Sequence, residues 1–300
     1  MFIKRLPKFE YHDPTSLSEA LELLAKYNGK ARVFAGGTDL LTAMKKREIL
    51  PEHLINLKGI AHLKGIHFDK REGIKIGALV ALGELERSKI VKESCCILWD
   101  AVNVMGSAQI RTLGTIGGNL CSAVPSADTA PPLIALGASV KMVGINGERS
   151  VLVENFFKGP GESILQTNEI LTHILIPRPL ENSGGIYLKL MRRNAVDLAL
   201  VGVAAYLRLD SDRKVCREAR IALGAVAPTP IRTRKAEEIL INKEIDETLA
   251  GEAGKFASQE ASPISDIRAS KTYRSTMVEV LTKKAVMDTY KRIISQKQTI

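Results

Sequence analysis

An α+β chain in two parts is what the sequence predicts, and three observations carry the prediction. Apolar runs at 31–34 and 53–57 alternate with helical patterns, which reads as a βαβαβ start. From 59 to 176 short strand-like runs are separated by turns. After a stretch rich in Pro, Gly, Asn and Ser at 177–185, three strand-like runs precede three helical ones. Strands followed by helices imply a three-stranded sheet with helices on one side. We therefore expect an N-terminal domain over 1–178, with subdomains over about 1–58 and 59–178, and a C-terminal domain over 186–295.

The first ten residues mix apolar and basic side chains and read as a short strand. Ser16 with Glu19 fits a capping box, and Leu17, Leu21, Leu23 and Leu24 follow helical spacing up to Asn28-Gly29. Residues 31–34 read as a buried strand and Gly36-Gly37 as a turn. Thr38 opens a helix with Leu40, Leu41 and Met44 inward, and 53–57 is the next strand. Strands are expected at 63–68 and 73–76, with helical spacing at 82–87 and 90–105, where the single Trp, Trp99, is assigned to the core. An apolar segment at 133–136 precedes a strand at 139–143. Asn146-Gly147 then turns a hairpin into 149–153. A strand at 170–176 stops at Pro177 and Pro179. The C-terminal strands fall at 186–191, 200–209 and 219–226, and the helices at 235–240, 247–258 and 272–294. In the last helix Tyr273, Met277, Val280, Leu281 and Ala285 share one face.

The net charge of +10 invites a nucleic-acid reading, but such proteins cluster their basic residues among aromatic ones. Here they are spread along the chain. The densest groups are Lys45-Lys46-Arg47, which closes a predicted helix where cations suit the dipole, and residues 189–193. A solvated surface explains the charge better. Cys95 and Cys96 are adjacent, Cys121 and Cys216 stand alone, and no pair has CxxC spacing. An iron–sulfur or zinc site built from these cysteines is not expected. With no bilayer-length apolar run and no signal-like start, the expected location is the cytoplasm.

Two small-residue stretches stand out. Ala35-Gly36-Gly37-Thr38-Asp39 joins a strand to a helix, and successive N–H groups at a helix start favour an anion. It is neither GxGxxG nor a Walker loop. The second, RTLGTIGGNLCSAVPSADTAP from Arg111 to Pro131, holds Gly114, Gly117 and Gly118 close together. Its composition suits no ordinary helix or strand, and its glycines let backbone approach a ligand closely. The plain alternative makes Thr38 or Asp39 a helix cap, Asp128 a cap and Ser122 and Ser126 turn residues. Two such turns in one domain suggest one extended phosphate-bearing ligand.

These motifs, with Thr115-Ile116-Gly117-Gly118-Asn119 and Ser126-Ala127-Asp128, resemble the FAD-binding subunit of the xanthine dehydrogenase and carbon monoxide dehydrogenase family of molybdenum hydroxylases. Asp266-Ile267-Arg268-Ala269-Ser270 with Tyr273-Arg274 is similar to the signature of that family's C-terminal flavoprotein domain. The resemblance covers nearly the whole chain and implies an N-terminal FAD-binding domain of the PCMH type. It also implies an oxidoreductase that acts within a multi-subunit complex. A molybdopterin-binding large subunit and a [2Fe–2S] small subunit would be the partners, with the molybdenum cofactor and the clusters on those chains. Electrons would pass through FAD here to an acceptor.

For this chain the resemblance implies that Val33, Phe34, Ala35, Gly36, Gly37, Thr38 and Asp39 wrap the pyrophosphate. Thr115, Gly117, Gly118, Asn119, Ser122 and Asp128 would line the cofactor on its other side. Leu171 would pack near the ring and Lys189 would approach its polar edge. Met105 matches a position where some relatives place an aromatic residue, and Ser122 stands where many have Asn. Residues with catalytic or metal-binding roles are not expected on this chain. The alternative is an independent FAD-dependent oxidase or reductase of the same fold. It would need an acid or base by the ring, and none of the five histidines lies in either glycine motif.

Overall fold

The computed structural model describes residues 5–193 and 196–295. The first four residues of the expected opening strand and domain lie outside the described residues. The strand lies later than expected, at Glu10–His12, and residues 5–9 form no regular element. It pairs in parallel with His53–Asn56, whose other edge pairs in parallel with Ala31–Phe34. The helix Leu17–Tyr27 buries Ala20, Leu21 and Leu24. Its start departs slightly from a capping box: Ser16 accepts from the Glu19 N–H, while the Glu19 carboxylate reaches the N–H of Thr15 at 2.9 Å.

A second, antiparallel sheet has the order Ile66–Asp69, Gly73–Gly77, Glu169–Ile176, Ser139–Gly144, Gly147–Leu152. The hairpin at Asn146-Gly147 is where its sequence placed it. The helical pattern at 90–105 is two helices, Lys89–Ser94 and Cys96–Asn103. The break falls at Cys95, whose φ of −149° and ψ of 44° are neither helical nor extended.

The glycine-rich centre needs a larger correction, because most of it is helical. Ser107 caps Ala108–Leu113 and Thr115 caps Ile116–Cys121. The apolar segment at 133–136 is the end of Ala130–Ala135, which carries proline at its start, where a missing N–H costs nothing. Glycine disfavours a helix by only about 1 kcal/mol per residue, so two local caps and burial of Ile116 and Leu120 outweigh it.

The C-terminal sheet contains the three expected strands, Ser183–Leu190, Val201–Leu209 and Cys216–Gly224. A fourth of two residues, Ile231–Arg232, is added at the edge. Two residues are too few to show a period, so pattern reading passes over them. Val201, Val203, Ala205 and Leu207 pack under Glu247–Glu260 and Lys271–Ser295. On the other face Tyr187, Ala204, Tyr206 and Ala222 join the apolar cluster of the N-terminal helices, with Ile97 and Ile134. A strand buried on both faces reads as a continuous apolar run, as Val201–Leu209 does.

The buried face of the last helix differs from the expected one. It consists of Arg274, Val278, Thr282, Ala285, Val286, Thr289 and Ile293, while Tyr273 and Val280 are 47 % and 49 % exposed. Hydrophobic periodicity misses this face because three of its residues are polar. Arg274, only 1 % exposed, donates to the carbonyl oxygens of Leu200 (2.8 Å) and Ala225 (3.4 Å) and to Asp266 (2.9 Å). Asp266 also accepts from the Arg268 guanidinium and the N–H groups of Arg268 and Ala269, which hold its carboxyl well below the usual carboxylate range. The C-terminal signature is thus a brace between the last helix and two strand ends. We expect Arg274→Met to cost about 3 kcal/mol, since it strands a buried and a part-buried carbonyl group. Denaturant unfolding followed by far-UV circular dichroism measures this. A change under about 0.5 kcal/mol would show that the brace contributes nothing.

Candidate functional site

The strand Ala31–Phe34 runs into the first glycine turn and then into the helix Leu40–Lys46. Gly37 has a φ of +73°, and a Cβ there would stand 2.4 Å from the Phe34 ring. Gly36 is needed for a different reason: a Cβ would stand 2.1 Å from the Leu113 carbonyl oxygen. The two glycine motifs therefore meet backbone to backbone. Asp39 occupies the cap position of Leu40–Lys46 without capping it. Its carboxylate accepts instead from the Ser122 hydroxyl at 2.6 Å, a second link between the motifs. Among the described residues, no protein group accepts a hydrogen bond from the N–H groups of Gly36, Gly37, Thr38 or Asp39. That run of free donors fits a phosphate group of FAD.

In the second motif the glycines divide their work. The Gly117 N–H donates to the Ala78 carbonyl at 3.0 Å, and a Cβ on Gly117 would meet Ala78 at 2.7 Å. This glycine serves packing. A Cβ on Gly118 would meet only its own cap, the Thr115 hydroxyl, at 2.9 Å and otherwise open space. The Thr115 hydroxyl accepts from the Gly118 N–H at 3.1 Å. The Asn119 side-chain amide oxygen accepts from the Thr129 hydroxyl at 2.5 Å, which turns that side chain towards the loop leading to Asp128.

Asp128 and Lys189 are brought together from opposite sides of the domain junction. The Lys189 ammonium donates to Asp128 at 2.8 Å and to the Val104 carbonyl at 3.2 Å. Their side chains are 2 % and 6 % exposed. The other Asp128 oxygen accepts from the Tyr187 hydroxyl at 2.8 Å. Burial pushes the Asp128 carboxyl up against the opposing pull of Lys189. Burial and then the Asp128 charge push the Tyr187 phenol well above its ordinary value.

Met105 follows Val104 and lies half-buried; its carbonyl accepts from Arg111 at 3.0 Å. Arg111 is itself held by both oxygens of Glu86 at 2.9 Å. Leu171 lies in the apolar core beside a bulge of Glu169–Ile176. Its neighbour Thr172 accepts from Ala78, the residue that packs on Gly117. His173, two positions on, is pushed down to about 4 by burial and then by the Lys75 charge, so it stands neutral. Val33, Phe34 and Ala35 are half-buried on the approach to the first turn, with the Lys58 ammonium 4.4 Å from the Phe34 ring centre.

Sequence reading missed Tyr187, Val104 and the Ser122–Asp39 link. Tyr187 had a signal, since residues two apart on a strand share a face and Lys189 was already singled out. The other two had none. One is a backbone carbonyl, and the other joins residues 83 positions apart.

Two family profiles match the chain. The one described as the FAD binding domain in molybdopterin dehydrogenase matches residues 7–179, and the one described as the CO dehydrogenase flavoprotein C-terminal domain matches 186–289. The carbon monoxide dehydrogenase medium chain of Hydrogenophaga pseudoflava is 33 % identical over 93 % of this chain and 96 % of its own length. The xanthine dehydrogenase FAD-binding subunit of Escherichia coli O157:H7 is 32 % identical over 93 % and 94 %. Among solved structures, carbon monoxide dehydrogenase from H. pseudoflava superposes with a TM-score of 0.92 at 33 % identity, covering 96 % of this chain and 99 % of that one. Quinoline 2-oxidoreductase from Pseudomonas putida 86 gives 0.90 at 30 %, covering 97 % and 99 %.

Proposed function

Because the chain belongs to the family of FAD-binding subunits of the xanthine dehydrogenase and carbon monoxide dehydrogenase type, we propose that its two facing glycine motifs are the cofactor site. The chain is the FAD-carrying electron-transfer subunit of a molybdenum hydroxylase complex. It takes electrons from iron–sulfur centres on a partner chain and delivers them to an acceptor. The observation that carries the site is the junction of Gly36 with Leu113, locked by Ser122 and Asp39, beside four free N–H groups.

Residues 33–39 hold the pyrophosphate through those donors. Thr115, Gly118, Asn119, Ser122 and Asp128 line the other side, with Gly118 leaving open space for close approach and Gly117 packing the motif onto Ala78. Leu171 and Met105 supply apolar surface. Lys189, whose ammonium is fixed by its bonds to Asp128 and Val104, would approach the polar edge of the ring. FAD, when bound, supplies a ring that accepts and releases electrons, and a cation near its pyrimidine side favours the reduced form. The partners are a molybdopterin-binding large subunit and a [2Fe–2S] small subunit, and the division into domains near 178–186 is supported by the gap between the two profile matches. Among the described residues no helix is long and apolar enough to cross a membrane.

Two results test this reading. The purified full chain should carry FAD in about equimolar amount and release it on denaturation. A chain that takes up no added FAD sinks the assignment. Loaded with FAD, it should leave aldehydes, purines and other heteroaromatics unchanged with an artificial acceptor until the partner chains are added. Turnover by the chain alone would instead establish an independent oxidase.

A further inference from the structure

A second cluster lies at the far end of the small parallel sheet from the glycine turn. Glu10 begins the edge strand, His53 begins the central strand directly opposite it, and His12 follows on the edge strand. The His12 Nε2 is 3.2 Å from the His53 Nδ1. The Glu10 Oε2 is 3.3 Å from the same His53 nitrogen and 3.9 Å from the His12 Nε2. All three donor atoms therefore lie within 3.9 Å of one another, the two ring nitrogens at hydrogen-bonding distance. Metal–ligand distances of about 2.0–2.1 Å in a tetrahedral zinc site place its ligand atoms about 3.3 Å apart. Two of the three separations match that spacing, and the third lies on Glu10, whose side chain is 71 % exposed and free to swing inward.

The surroundings suit a site. Tyr27, at the end of Leu17–Tyr27, stacks on His53 with ring centres 3.6 Å apart and planes 15° from parallel, which fixes the imidazole. The two histidines are largely buried, so little rotamer freedom remains to be lost on binding. Two imidazoles and a carboxylate are a donor set that borderline metals prefer over calcium or magnesium.

We propose that Glu10, His12 and His53 form a binding site for a divalent transition metal, zinc in particular, with a fourth position left to water. The site clamps the three-residue edge strand to the centre of the sheet. It stands apart from the cofactor site, because the glycine turn follows the opposite, C-terminal end of Ala31–Phe34.

The test uses the full chain loaded with FAD, stripped with a chelator, mixed with zinc and desalted. Elemental analysis should find about one zinc per chain, with a higher unfolding midpoint than the stripped protein. The His12→Asn/His53→Gln variant should retain no zinc while keeping its FAD. Should that variant misfold, Glu10→Gln changes only an exposed side chain and should weaken zinc binding by at least about tenfold. Absence of retained zinc on the unaltered chain overturns the proposal. So does equal zinc affinity in the unaltered chain and a folded variant, which would place the metal on other ligands.

Discussion

Gly36→Val should leave the chain without flavin. The Cβ it introduces would stand 2.1 Å from the Leu113 carbonyl oxygen and 2.9 Å from its carbon, distances no real side chain adopts. The obstacle is backbone, so it cannot rotate aside, and the two glycine motifs must separate. The Asp39–Ser122 hydrogen bond spans the same junction and would be lost with it. Overpacking of this kind costs about 1–3 kcal/mol or more, enough for a fold of ordinary stability to survive locally damaged. We expect FAD affinity to fall by at least about a hundredfold, roughly 2.7 kcal/mol. Flavin absorbance per purified chain and an FAD titration measure it, with far-UV circular dichroism reporting the fold. Gly251→Ala is the control. It lies in the open middle of Glu247–Glu260 with nothing nearer than 4.0 Å, and should keep full flavin while stabilising the helix by up to about 1 kcal/mol. Gly118→Val should also lose FAD, with only its own helix cap disturbed. Equimolar flavin in Gly36→Val would reduce the facing motifs to a structural joint.

Lys189→Met should destabilise the chain by about 3–5 kcal/mol near neutral pH, the usual cost of leaving a buried charge without its partner. Asp128 would keep only the Tyr187 hydroxyl. Adding Asp128→Asn removes the stranded charge and should recover most of the loss, a coupling that separates this mechanism from simple loss of packing. The pH dependence has a definite sign. Burial raises the folded-state pKa of Asp128 above its unfolded value, near ~3.9, despite the opposing pull of Lys189. Within the window above ~3.9 the folded chain holds more protons than the unfolded one, so this group's contribution to stability falls as pH rises. Removing Lys189 removes a lowering influence and extends that window upward. The deficit of Lys189→Met should therefore be greatest near neutrality and shrink as the pH falls towards ~4. Urea unfolding of both proteins at matched ionic strength gives the comparison. A deficit independent of pH would mean that Asp128 is not the group left stranded.

The local elements were largely legible because their signals are local. Ser16 with Glu19, Asn146-Gly147 and the prolines after residue 176 act within a few positions of themselves, and the structure places a helix start, a hairpin and a strand end there. The inner face of Lys271–Ser295 was not legible. Arg274 and Thr289 are buried there because carbonyl oxygens of Leu200 and Ala205 receive them, and those acceptors lie 74 and 84 positions away. A hydrophobic pattern counts both residues as outward.

The same division holds at the site. By itself the sequence determined where backbone would have to come close: Gly36, Gly117 and Gly118 mark positions where a Cβ is excluded or unwanted, and glycine is the one residue that leaves that mark on a sequence. What each glycine faces was decided only by the tertiary structure. Gly36 meets Leu113, Gly117 meets Ala78, and Gly118 meets little beyond Thr115. Likewise the sequence singled out Asp128 and Lys189 separately, but only the packing of the C-terminal sheet on the N-terminal helices joins them. The physical reason is that a buried charge is tolerated only beside its partner, and that partner is chosen by which strand the fold brings alongside.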